Sequence, residues 1–236
     1  MLEDLDATEG LAAVRAILLD LGKNDSAFLH RAVNSLFESA PDLLLPIAVL
    51  TLTDVLGSPA DDRAVRFAAA LQCVVAATAL HRAGPRGAPD HLEVLAGDYL
   101  YAQAAVLTSR LNQLSIMRGL SRAIKLLCRN SLEHPTEPGL RPLFELGAEA
   151  VACLLTLDPE RAQAVVGYGR LLDRLRASHD LSGAHHEARC FAEHFASGRA
   201  IGRICALAER VASSAALALG TVHPLSASNG AAAGKD

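Results

Sequence analysis

Tryptophan is absent from this sequence, and aromatic residues make up only 4% of its 236 positions. A core of this chain must therefore be built from aliphatic side chains. The five cysteines, Cys73, Cys128, Cys153, Cys190 and Cys205, are odd in number and include no CxxC pair. That excludes a disulfide framework and fits reduced thiols in a cytoplasmic protein. The longest apolar run, Phe67 to Leu80, is interrupted by Gln72 and is too short to span a bilayer, so no integral membrane segment is expected. The opening residues, MLEDLDATEG, are acidic and lack the basic and apolar regions of a signal peptide. A net charge of −4 gives no footprint for nucleic acid or for an anionic membrane surface. No β-alternation of useful length and no solenoid-period repeat is present.

What the sequence has is alanine and leucine in helical periodicity, with a hydrophobic fraction of 51%. The length suits one domain with a sizeable core. The expected fold is all-α. Apolar spacing at i, i+3, i+4 predicts a helix over Leu11–Leu21, stopped by Gly22, and a second over Ser26–Ser39 capped by Asp25, with Phe28, Ala32, Leu36 and Phe37 inward. A third runs from Asp42 to Leu56. Ser58-Pro59-Ala60-Asp61 predicts a start, with Ser58 as cap, for a helix reaching His81. Gly84 to Pro89 is a loop. Asp90 caps a helix running to about Leu111, and another spans Ile116–Leu132. Leu143–Leu157 is apolar on most faces and so is buried. Asp158-Pro159-Glu160 opens a helix to Ser178, and two more lie near Ala184–Ala196 and Ala200–Leu219. Residues 1–223 form one helical domain in this reading, and residues 224–236, rich in Ser, Ala, Asn and Gly, form a disordered tail.

One stretch carries more than pattern. Glu93 to Lys125 reads EVLAGDYLYAQAAVLTSRLNQLSIMRGLSRAIK, with Leu143-Phe144 and Tyr168-Gly169 following at a distance. These segments, in this order, resemble the trans-isoprenyl diphosphate synthases (polyprenyl synthetases). The resemblance covers roughly Leu29 to Leu181 and, more weakly, the last helix. It implies an isoprenoid-synthase-type helical bundle, truncated between Asp180 and the last helix.

The resemblance also implies where chemistry should stand. Active members hold an allylic diphosphate through Mg²⁺ on two aspartate-rich DDxxD motifs, and hard carboxylate oxygens suit that ion. The first motif should follow Leu80-His81, but Arg82, Ala83 and Arg86 stand there. An arginine at the first carboxylate position opposes metal binding. The second should follow the Tyr168-Gly169 helix, where His179 and Asp180 remain, one carboxylate in place of a cluster. The basic motif for isopentenyl diphosphate aligns with Ala40 to Pro46, its lysine position being Asp42 and its arginine positions Leu43 and Leu45. A later Lys-Thr pair aligns with Gly139-Leu140. Without these groups the ionisation step loses its electrostatic stabilisation.

The chain is thus similar to the non-catalytic small subunits of heteromeric long-chain prenyl diphosphate synthases, such as component I of heptaprenyl diphosphate synthase. That implies a pseudoenzyme with no catalytic residue and no cofactor of its own, Mg²⁺ being held by a catalytic polyprenyl diphosphate synthase partner. A homodimer of the isolated chain stays open. Two alternatives also stay open: a stand-alone helical module binding a prenyl or other lipid, and a remodelled prenyltransferase with residual activity. A lipid carrier would purify as a monomer with lipid; a subunit would self-associate until its partner is added.

Individual residues admit plainer readings. Asp98 suits the N-terminal turns of a helix, and Gly97 permits a close helix approach. His81 is a packed helix-end histidine. Ala68, Ala69, Ala70, Ala76, Ala77 and Ala79 serve helix packing or line a prenyl tunnel. His186, Cys190 and His194 share a stripe, but turns rise about 5.4 Å each, so one ion cannot bridge the first and last. For the partner surface, the helices over 90–111 and 116–132 offer Tyr99, Tyr101, Ile116, Met117 and Leu120 as interface candidates.

Overall fold

A computed structural model of the chain describes residues 9–23, 25–39, 43–57, 61–83, 92–133, 140–178, 181–196 and 198–214. Among them are ten helices and no strand: α1 (Glu9–Asp20), α2 (Ala27–Ser39), α3 (Leu44–Val55), α4 (Asp62–Ala83), α5 (Leu92–Ser109), α6 (Leu114–Glu133), α7 (Arg141–Leu154), α8 (Pro159–Ser178), α9 (Leu181–Ala192) and α10 (Arg199–Ser213). The expected tail lies outside the described residues, as do the Gly84 to Pro89 loop and the caps assigned to Ser58 and Asp90.

Helix starts follow their caps. The Asp158 carboxylate accepts the Arg161 amide at 3.0 Å, and α8 opens at Pro159 as the sequence predicts. Two other starts differ. At α4 Asp61 stands at the cap: its Oδ1 accepts the amides of Arg63 and Ala64, each at 2.9 Å. At α2 it is Ser26 Oγ, 3.5 Å from the Leu29 amide, that faces the helix end. Asp25 instead accepts a hydrogen bond from the Tyr99 hydroxyl at 2.8 Å and so ties the α1–α2 turn to α5.

α4 is the centre. Every residue from Phe67 to Leu80 is buried, which requires neighbours on all sides, and α1, α3, α5, α6 and α7 supply them. By length and composition α4 could cross a membrane, but nearly all of it is buried within the bundle. Its alanines, including Ala68, Ala69, Ala70 and Ala77 at zero exposure, let those helices come close. Three of the polar side chains inside are satisfied locally: Thr53, Thr78 and Thr108 each donate to the carbonyl four residues earlier at 2.8 Å. α7 and α8 pack side by side, and α9 and α10 close the far end, with Arg203 of α10 paired to Asp54 of α3.

Candidate functional site

The place to look for chemistry is where α4 ends beside the start of α5. Gly97 faces the His81 ring: a Cβ there would lie 2.8 Å from two ring atoms and 3.3 Å from the Ala77 carbonyl oxygen. Only glycine lets α5 settle this close. The His81 ring stacks on Tyr101, with centroids 5.5 Å apart and planes 17° from parallel. Its Nε2 lies 3.1 Å from Asp98 Oδ1, a contact off the line of a hydrogen bond. Tyr101 in turn shares a 2.9 Å hydrogen bond with Thr78. Burial pushes the Tyr101 hydroxyl up to about 12, against the pull of Thr78. Burial and the Asp25 carboxylate likewise raise Tyr99.

This cluster gives Asp98 a different role from the helix-end one expected. It sits in the second turn of α5, past the free amides of the N-terminus, and its partner is His81. One imidazole, one carboxylate and the Tyr101 phenol hold α4 and α5 together. They do not make a magnesium cage. Arg82 is half-buried on the last turn of α4, and burial lowers its affinity for its proton. Even so lowered, a guanidinium keeps its charge, and it stands where the sequence resemblance would put a metal ligand.

The other motif positions are apolar or lie outside view. Leu43 and Leu45, at the start of α3, are 4% and 2% exposed core residues, and Leu140 is fully buried. Ala83 ends α4. Asp42, Arg86, Gly139, His179 and Asp180 lie outside the described residues. Tyr168 is fully buried, donates to the Ile204 carbonyl at 2.7 Å and meets Phe195 edge-on. Gly169 brings α8 against α7.

A carboxylate that motif reading passes over is Asp173, on α8. Burial raises its pKa; the Arg176 and Arg141 guanidiniums pull it back. Its neighbours form a charged seam, with Arg141 and Arg170 both donating to Glu145 Oε1, at 2.8 and 3.2 Å. Asp173 itself makes an ion pair, its Oδ1 lying 3.7 Å from the Arg176 guanidinium without a hydrogen bond. A depression of about 390 Å³ lies between the end of α3 and the α9–α10 turn, beside Leu56, Arg161, Glu193 and Phe195. It opens broadly to solvent, and Arg161 is used there to hold the Phe195 carbonyl.

Among the described residues no three His, Cys, Asp or Glu side chains converge on a point that could hold a metal ion. On α9, His186 Nε2 is 3.8 Å from Cys190 Sγ, while His194 Nδ1 bonds the Cys190 carbonyl at 2.7 Å, so the stripe does not close.

The partner-facing residues need correction. Ile116 and Leu120 are 2% exposed and belong to this chain's own core, Met117 is half-buried, and Tyr99 and Tyr101 have both hydroxyls engaged inside the molecule. None is an outward anchor. The large apolar side chains that α5 exposes are Leu95 and Val106, at 59% and 41%. Eleven positions apart, they share one helical face. Burial, not periodicity, separates these two sets, which is why the sequence pattern pointed at the wrong one.

No family model and no curated protein matches the sequence. Solved structures do match in shape. A polyprenyl synthase from Caulobacter crescentus CB15, complexed with calcium and isoprenyl diphosphate, superimposes with a TM-score of 0.73 at 18% identity, covering 90% of this chain and 99% of that one. A decaprenyl diphosphate synthase from Rhodobacter capsulatus gives 0.63 at 18% identity, over 92% and 87%. A geranylgeranyl pyrophosphate synthetase from the archaeon Geoglobus acetivorans gives 0.63 at 18%, over 89% and 87%. At this identity the likeness concerns architecture, and it is the all-α architecture that the LAGD segment and its flanks predict. The chain has the fold of the trans-prenyl diphosphate synthases.

Proposed function

We propose that this chain is a non-catalytic subunit of a heteromeric long-chain polyprenyl diphosphate synthase. One observation carries the reading: the bundle is kept, with its glycine contacts and buried α4, while the positions that would hold diphosphate and metal are Arg82, Leu43, Leu45 and Leu140. Loss confined to the chemistry fits a chain retained for its shape. The catalytic partner supplies both aspartate-rich motifs and the Mg²⁺; this chain supplies a surface. The outer face of α5, with Leu95 and Val106, is the apolar part of that surface.

The test is prenyl transfer from an allylic diphosphate to isopentenyl diphosphate with Mg²⁺. The chain alone gives no turnover above a no-protein control. Added to a polyprenyl synthase from the same cell, it raises activity or lengthens the product. Leu95→Glu with Val106→Glu removes that effect and leaves the chain helical. Tyr101→Glu is a poor probe, because it breaks the stack on His81 and the bond to Thr78. Turnover by the chain alone, surviving a second purification step, sinks the reading; so does failure of every such synthase to bind it.

A further inference from the structure

From Tyr99 to Leu132 the chain has no Asp or Glu, yet carries Arg110, Arg118, Arg122, Lys125 and Arg129. All 26 acidic residues lie elsewhere. The net charge of −4 therefore averages a basic segment with an acidic remainder, and the absence of a footprint inferred from it does not hold locally.

The structure turns this segment into a surface. Arg118, Arg122, Lys125 and Arg129 recur at intervals of four, three and four on α6, which places them on one face. The opposite face, Ile116, Gly119, Leu120, Ala123 and Leu127, is buried. All four cations are exposed. Arg129 has Glu133 at 3.6 Å, whereas Arg118, Arg122 and Lys125 have no acidic partner among the described residues. At the two ends of the same face stand Leu114 and Leu132, 63% and 85% exposed. Eighteen residues, or about 27 Å of helix, separate them.

We propose that the outer face of α6 docks on an anionic lipid bilayer. The cations meet the headgroup phosphates and the two leucines enter the interface at either end. Three features favour lipid over protein. No residue from Leu114 to Glu133 is aromatic, whereas protein interface cores are rich in aromatics. A second copy placed on this face would set cation against cation. The acidic remainder is repelled by an anionic surface, so the molecule meets it by this face alone. The inference stands apart from the subunit reading. If that reading also holds, docking brings the synthase to the phase that takes up a long prenyl product.

The experiment is co-sedimentation of the full chain, without any partner, with vesicles of phosphatidylcholine alone or mixed with phosphatidylglycerol. The chain binds the mixed vesicles at low salt, leaves them at high salt and ignores the neutral ones. Each cation near such a surface strengthens binding about fivefold, so Arg118→Gln with Arg122→Gln and Lys125→Gln weakens it about a hundredfold. Arg15→Gln with Arg31→Gln, exposed cations on α1 and α2, does not weaken it. Because the chain has no tryptophan, Leu132→Trp installs a single reporter whose emission shifts to the blue on mixed vesicles. No binding to mixed vesicles at low salt overturns the proposal. So does wild-type binding by the triple variant with a native circular dichroism spectrum, or capture of polyglutamate without capture of vesicles.

Discussion

Three glycines on α8 and α10 separate backbone contact from helix propensity, and they make the packing of α7 on α8 measurable. A methyl group at Gly169 would lie 2.7 Å from the Phe144 carbonyl oxygen and 2.9 Å from Ala148 Cβ. Neither atom is the end of a flexible side chain, so the helices must part. Such overpacking costs about 1–3 kcal/mol, and the helix preference of alanine over glycine returns about 0.8–1 kcal/mol. The balance is a loss of up to about 2 kcal/mol, which lowers Tm by up to about 8 °C in a domain of this size. At Gly202, exposed within α10, nothing lies within 4 Å of the new methyl. Gly202→Ala then gains only the propensity term and raises Tm by about 2–4 °C. Gly167→Ala falls between them, because what it meets at 2.8 Å is the edge of the half-buried Phe191 ring, which can turn aside. Thermal and urea unfolding followed by helical ellipticity will rank the three. Gly169→Ala melting above wild type by as much as Gly202→Ala refutes the close approach of α7 and α8.

Further outcomes follow from single contacts. Burial works to raise the Asp61 carboxyl, but hydrogen bonds from the Ala64 and Arg63 amides and the Arg63 guanidinium hold it below 3.8. Its cap is thus fully present above that value and is lost as pH falls through the lower folded one: Asp61→Ala should cost about 1 kcal/mol at neutral pH, and urea unfolding should show the gap closing in acid. All three tyrosines are raised, Tyr101 to about 12 and the others beyond it or well above 10. Phenolate absorbance should therefore stay silent through the ordinary tyrosine range, and Tyr101→Phe should remove the first step; a transition near 10 in the native protein would contradict the burial of Tyr101.

Helix order was legible because caps and periodicity are local. Asp158-Pro159-Glu160 folds as it reads. Asp61 was harder to single out, since several residues in one turn can cap and only the backbone path selects among them. Ile116 and Leu120 misled for another reason: an apolar face looks the same whether it meets its own bundle or a partner, and here the bundle takes it. His81 with Asp98 was out of reach, because a pair seventeen positions apart on two helices leaves no spacing signal. The basic face of α6 was present in the letters, but a chain-wide charge total conceals it.

The apolar positions also bear on the proposed subunit role, through what placing charges there would cost. Leu45 is 2% exposed at the start of α3, among the buried residues Leu44 to Thr53. Leu45→Arg would place a guanidinium there with no carboxylate opposite. An uncompensated buried charge costs about 3–5 kcal/mol, a large part of the roughly 5–15 kcal/mol that holds a domain folded. Arg82→Asp is different in kind. Arg82 is half-buried at the C-terminal turn of α4, where exchanging a cation for a carboxylate loses a favourable dipole contact of about 0.3–1 kcal/mol. It should fold and still fail to transfer prenyl groups, because one carboxylate does not make a magnesium site. Circular dichroism melts and the prenyl transfer assay will check both. A Leu45→Arg chain as stable as wild type would mean that this end of α3 opens onto a polar cavity, and with it the view that leucine packing replaced the diphosphate-binding charges would fall.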